Sequence, residues 1–259
     1  MTGVWRRLSA IAVNTFREAV RDRVLYSILF FAGAVILASL ALQEVTIGDQ
    51  AKVVRSMGQG AIDLFGSIIA MFLGVSLVYK ELERRTVYTI LSKPIGRAQF
   101  IVGKYLGLLL TVAVELLILV AVYTALMLVQ QSMPPLVLYV SMGMLFAELA
   151  LLTAWSTLFS AYSSPTTASA FTLAVFVIGH LADDVWLFGS QSDSESVRAI
   201  AQGLYWVLPN FELFNIREYA VHERPVPWDR VGPALAYGAG YTAAVLAAAV
   251  AVFRNKDIK

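Results

Sequence analysis

The chain has 259 residues, 58% of them hydrophobic and only 15% charged, with a mean hydropathy of +0.70. Soluble domains are about a quarter charged, so this balance excludes an ordinary soluble globular protein and points to a multispanning membrane protein. Cysteine is absent, which excludes disulfides and thiolate metal sites, and the net charge of +2 matters less than where the charges sit.

The first twenty or so residues read VWRRLSAIAVNTFREAVRDR from Val4 to Arg23. Trp5, Leu8, Ala12, Phe16 and Ala19 recur at helical spacing, with Arg7, Asn14, Glu18 and Arg21 largely on the other side. Residues 4–23 are expected to form a helix lying in the membrane interface, arginines towards anionic lipid. The alternative is a plain cytoplasmic continuation of the first span. No cleavable signal peptide is expected, because the first apolar run begins only near Val24 and is long enough to span.

A helical span takes about 20 mostly apolar residues. Six runs qualify: Val24–Leu42, Ala61–Tyr79, Ile101–Val129, Leu136–Ala161, Thr166–Phe188 and Val231–Phe253. The segments at one side carry Arg6, Arg7, Arg17, Arg21 and Arg23, then Lys80, Arg84, Arg85, Lys93, Arg97 and Lys104, then Arg254, Lys256 and Lys259. On the other side, Lys52, Arg55, Arg198, Arg217, Arg224 and Arg230 are outnumbered by acids. The positive-inside rule therefore predicts both termini and residues 80–97 in the cytoplasm.

Within YKELERRTVYTILSKPIGR, residues 79–97, Glu81 to Leu91 can form a short helix with Leu82, Val87, Ile90 and Leu91 on one ridge. Pro94 limits its continuation. A cytoplasmic helix tied at both ends to spans can transmit force; the plainer reading is a solvated loop bearing positive-inside charge.

Glu115 and Glu148 lie inside apolar spans, where a charge is costly and faces a bundle interior or cavity. An antiparallel pairing of their spans would place them at similar depth. Gly103, Gly107, Thr111 and Glu115 form one small, polar face suited to close helix contact. Two readings stay open. The carboxyls could be a polar element of a pathway or a proton site, or they could be neutral, hydrogen-bonded groups supporting packing. His180 with Asp183 and Asp184 is expected to be an interfacial, solvated cluster and matches no strong metal pattern. Residues 189–230 make the long outer loop. Their apolar middle, interrupted by Pro209, predicts short surface or re-entrant helices.

Glu81-x-Glu83-x-x-Thr86, Ile90-Leu91-Ser92-Lys93-Pro94, Arg97 and Gly103-Lys104-Tyr105 resemble the coupling-helix region of ABC-2 type transporter permeases. FREAVRDR at 16–23, with Glu18, Arg21 and Asp22, is similar to that family's connecting helix. LPNFELFNIRE at 208–218 resembles its outer segment, including that of a branch associated with copper-enzyme maturation, and FRNKDIK at 253–259 resembles its basic tail. Arg85 departs from the glycine that many members carry. The resemblance implies an all-α permease domain over residues 1–259 in a bacterial or archaeal plasma membrane. Its coupling contacts would fall on Glu81, Glu83, Arg84, Arg85, Thr86, Leu91 and Pro94. It also implies a separate ABC ATPase that holds ATP and Mg, and a second permease meeting this one through Ala32–Ser39 and Ala168–Phe176.

The chain lacks G-x-x-x-x-G-K-[ST], so ATP hydrolysis must come from another polypeptide. No catalytic residue, cofactor or metal of its own, and no nucleic acid, is expected. An exporter is the family-based expectation for direction. The alternative from another class is an ion-coupled secondary carrier using Glu115 and Glu148. The substrate is not legible.

Overall fold

A computed structural model describes residues 2–45, 50–83 and 96–255, and all helices and turns below are drawn from these. In chain order they are α1 (Thr2–Ala19), α2 (Arg23–Val45), α3 (Gln50–Glu83), α4 (Arg97–Val129), α5 (Leu136–Tyr162) and α6 (Pro165–His180). Then follow α7 (Ala182–Ser190), α8 (Glu195–Val207), a 3₁₀ turn (Glu212–Phe214), α9 (Arg217–Val221) and α10 (Trp228–Asn255). Lys52–Val75, α4, α5 and Trp228–Arg254 are each long and apolar enough to cross a membrane. Two bent pairs, α1 with α2 and α6 with α7, also pass when each is counted as one span, giving up to six. The protein is thus an all-α, multi-pass membrane protein. The end carrying 130–135 and 191–227 is called the outer end here, after the charge distribution.

Two boundaries depart from the sequence expectation. The second span belongs to a helix that starts at Gln50 rather than Ala61, because its polar first turns are covered by the outer loop. The expected single span Thr166–Phe188 is broken. α6 ends at His180 and α7 leaves it at 65°. Asp183 and Asp184 then fall in the first turn of α7, where their charge favours a helix N-terminus.

At the start of the chain, α1 is bent 66° from α2, and Asp22 Oδ1 accepts the Val24 N–H at 3.1 Å as a cap for α2. α1 packs mainly on α4, by way of Gly103 and Gly107. A methyl at Gly103 would meet Ile11 at 2.9 Å, and one at Gly107 would meet Thr15 and the Ala12 carbonyl within 2.6 Å. The glycine face thus finds its partner in α1. Leu8, Ala12 and Ala19 turn inward, whereas Trp5 is exposed. Lys104, 1% exposed, has its ammonium 3.7 Å from Glu18 Oε2. Arg21 is exposed.

The bundle centre is the contact of α3 with α5. Thr153, Thr157 and Ser160 bond to carbonyls one turn back, so their hydroxyls are satisfied in an apolar setting. Ser160 also reaches across to the Gly74 carbonyl at 3.0 Å. Near the basic end, Arg97 donates to the Phe253 and Arg254 carbonyls at 3.2 and 2.6 Å, capping α10, while Phe100 stacks on Phe253.

A methyl on Gly74 would sit 1.7 Å from Ser156 Oγ and 2.6 Å from its Cβ. Gly74→Ala should therefore force α3 from α5 and lower stability by about 1–3 kcal/mol. Ser156→Gly in the same chain should restore most of the loss, read as thermal unfolding of the purified protein in detergent. Equal melting of the single and double variants would show that this crossing does not set the packing.

Candidate functional site at the outer end of the bundle

The segment LPNFELFNIRE enters the outer end of the bundle and closes it. Phe211, Phe214 and Ile216 are buried in the main core, which draws the backbone inward. A chain that turns irregularly at this depth must satisfy its own polar groups. Asn210 and Asn215 do so by accepting the N–H two residues on, from Glu212 at 3.0 Å and Arg217 at 3.2 Å. Asn210 also donates to Asp183 Oδ1 at 2.8 Å, and its N–H donates to the Tyr237 hydroxyl at 3.0 Å. Asn215 donates to Glu212 Oε1 at 2.9 Å. Partial burial pushes the Glu212 carboxyl above its ordinary range, opposed by that Asn215 bond and by the nearby His180.

Two arginines fasten the outer loop to α3. Arg217 donates to the Ser56 carbonyl and, at 3.1 Å, to Ser56 Oγ. Arg55 pairs with Glu223. The Arg217 guanidinium lies over Gly60, where a methyl would meet it at 2.7 Å.

Beneath this segment is a small polar cavity of about 50 Å³. Gln59, Asp63, Glu148, His180, Asn215 and Arg217 supply its polar lining. Gln59 and Asp63 stand one turn apart on α3, Glu148 comes from α5, and His180 closes α6. Glu148 and His180 lie at matching distances from the Ser163–Ser164 turn, which brings them together. Glu148 Oε1 is 3.2 Å from His180 Nε2, while His180 Nδ1 lies 2.9 Å from the Phe176 carbonyl. Gln59 is 1% exposed, and neither end of its amide has a hydrogen-bond partner among the described residues. The arrangement can hold a small polar or protic species between two carboxylates, an imidazole and a guanidinium.

His180 is therefore not part of a solvated cluster with Asp183 and Asp184: it turns to Glu148, and Asp183 turns to Asn210. Glu115 is buried on α4 but does not line this cavity, and its carboxylate oxygens have no hydrogen-bond partner among the described residues. The two intramembrane glutamates thus have different surroundings. Sequence reasoning passed over Gln59, Asp63 and Arg217. Asp63 carried the same signal as Glu115, an acid inside a candidate span; Arg217 carried none beyond its place in the outer segment. Glu81 and Glu83 fall on the last turn of α3, and Arg84, Arg85, Thr86, Leu91 and Pro94 lie outside the described residues.

By class the chain is a helical, multi-pass membrane protein, with a small chamber at its outer end and an apolar run that bends after His180. More narrowly, the family model described as ABC-2 family transporter protein matches residues 9–258, and the chain belongs to that family. The match extends to the family and not to its copper-maturation branch. No curated protein matches the chain.

Arg217→Leu should cost about 1–3 kcal/mol by removing the charge-assisted bonds to Ser56. Arg217→Lys should recover part of this, since an ammonium lacks the planar fork. Thermal unfolding gives the magnitude, and faster protease cleavage within 208–221 locates it. Unchanged cleavage in Arg217→Leu would show that Arg217 does not anchor the segment.

Proposed function

We propose that the chain is the permease subunit of an ATP-driven ABC-2 transporter, working as an exporter in a bacterial or archaeal plasma membrane. A separate ATPase supplies ATP and Mg chemistry, and a second permease completes the pathway across α2 and α6. Both termini and residues 80–97 face the cytoplasm in this reading. The observation that carries it is the family match over residues 9–258, nearly the whole chain. The helical frame supports it: α3 runs unbroken from the outer chamber to Glu83, and α4 resumes at Arg97, braced on α10.

A segment tied between two such helices is suited to pass force between an ATPase cleft and the spans. Glu81, Glu83, Arg84, Arg85, Thr86, Leu91 and Pro94 are assigned the docking contact. Glu18 on the interfacial helix, and Arg21 and Asp22 in the turn that follows it, are assigned to the connecting region, and Glu18 stays close to Lys104 on α4.

Affinity purification from native membranes should recover a P-loop ATPase with the tagged chain. Glu83→Lys should reduce that recovery, or leave ATP hydrolysis running without transport, while membrane insertion is unchanged. Full recovery together with full transport in this variant would overturn the docking assignment.

Glu115 supplies a separate check on the ion-coupled alternative. With no hydrogen-bond partner among the described residues, it has no evident part in a relay. Glu115→Gln keeps the shape and removes titration, so ATP-dependent transport should be retained within about twofold, the scatter of a substitution worth less than 0.5 kcal/mol. Transport abolished in a variant of normal yield would instead make Glu115 a coupling group.

A further inference from the structure

His180 Nε2 lies 3.2 Å from Glu148 Oε1, close enough to share a proton though off the line of a straight hydrogen bond. The Phe176 carbonyl can only accept, so His180 Nδ1 carries a hydrogen and donates it. Nε2 is left facing Glu148 Oε1 at 3.2 Å. A neutral imidazole presents a lone pair there, so Glu148 must hold the proton. An ionised Glu148 requires the proton on Nε2. With neither protonated, a carboxylate and a lone pair would lie 3.2 Å apart, and the contact would be repulsive.

The surrounding charges do not replace that proton. Asp63 on α3 and Arg217 at the start of α9 are opposite in sign and both line the cavity. Glu212 on the 3₁₀ turn accepts from Asn215, and Asp183 on α7 accepts from Asn210. Exchange has a route, because the cavity of about 50 Å³ exceeds what a water molecule needs, and its lining includes the unpartnered Gln59 amide.

The pair also sits at a joint. His180 is the last residue of α6, immediately before the 65° bend to α7. The Phe211 ring lies 5.3 Å from the imidazole, and the Phe211 N–H donates to the Gly179 carbonyl at 3.0 Å. Gly179 admits this approach: a methyl there would meet the Phe211 ring at 2.5 Å. Whatever holds His180 on α5 therefore also holds the outer segment on the bundle.

We propose that Glu148 and His180 form a proton-binding site whose occupancy keeps residues 208–221 closed over the outer chamber, so that losing the proton releases them. This stands apart from ATPase coupling, and its test uses neither nucleotide nor a partner subunit.

The native chain has no cysteine, so Ser141→Cys places a single thiol in the buried lining of the cavity. The full chain in lipid nanodiscs is treated with a membrane-impermeant thiol reagent from about pH 6 to about pH 9, bracketing histidine titration. Rates are divided by the thiolate fraction of the same cysteine at each pH, read from its ultraviolet absorbance, to remove the thiolate's own pH dependence. The normalised rate should rise about tenfold towards alkaline pH, as the closed population falls. Adding Glu148→Gln, whose amide N–H can donate to Nε2 permanently, should keep the rate low and flat. A flat rate without that change, or an equal rise with it, overturns the proposal. A second readout guards against misfolding, since the chain holds two histidines and His222 is exposed. In ¹⁵N-histidine spectra the His180 Nε2 signal should shift across the titration, and in Glu148→Gln it should stay that of an unprotonated acceptor. An Nε2 signal that follows His222 in both proteins would equally overturn the proposal.

Discussion

A backbone group in hydrocarbon has no water to bond, so every interruption of a span must be repaired by protein. The break after His180 is the point where this constraint shapes the molecule. The Gly179 carbonyl takes the Phe211 N–H, Asp183 takes the Asn210 amide, and the Asn210 N–H finds the Tyr237 hydroxyl. The repair material is the outer segment itself. Once 208–221 is drawn in, Phe211, Phe214 and Ile216 become core, and Arg217 is carried to Ser56 on α3. The broken span, the buried loop and the polar chamber are one structural solution rather than three features.

Elsewhere the bundle gains its contacts from smallness. Lipid tails are as apolar as leucine, so helices associate where backbones can approach and hydroxyls can bond. Gly74 with Ser156 and Ser160, and Gly103 and Gly107 with α1, are such places. The burial of Lys104 follows from the second: once α1 lies on α4, the lysine stem is covered and its head stays near Glu18.

Much of this was legible in the sequence, and the limits have physical causes. The apolar runs behind four spans, or up to six with each bent pair counted as one, follow from run length, which depends on the bilayer rather than on tertiary detail. The small face at Gly103 and Gly107 was readable as a contact face, though its partner was not, since periodicity says that a face is packed and never against what. The break within Thr166–Phe188 escaped because hydropathy stays high through Val185–Phe188 and no proline marks the bend. His180 and Glu148 are distant in sequence, and their meeting depends on matched distances from the Ser163–Ser164 turn. Glu115 and Glu148 look alike in a hydropathy plot; only the arrangement of neighbouring helices gives one an imidazole.

The geometry also joins the two ends of the molecule. α3 lines the outer chamber with Gln59 and Asp63, crosses α5 at Gly74, and ends at Glu83. A continuous helix is stiff along its axis, so a displacement at Glu83 must appear somewhere along α3, at the Gly74 crossing or at the Arg217 and Arg55 fastenings. The crossing is tightly packed and resists sliding, whereas the outer fastenings are a few polar bonds, partly open to water. The weaker end gives first. Tilting of α3 about its crossing with α5 would therefore load the outer segment before it disturbed the core, and Glu148, being on α5, would register that motion against His180 on α6. The outer chamber thus shares α3 with the tight Gly74 crossing and shares α5 with the other side of that crossing.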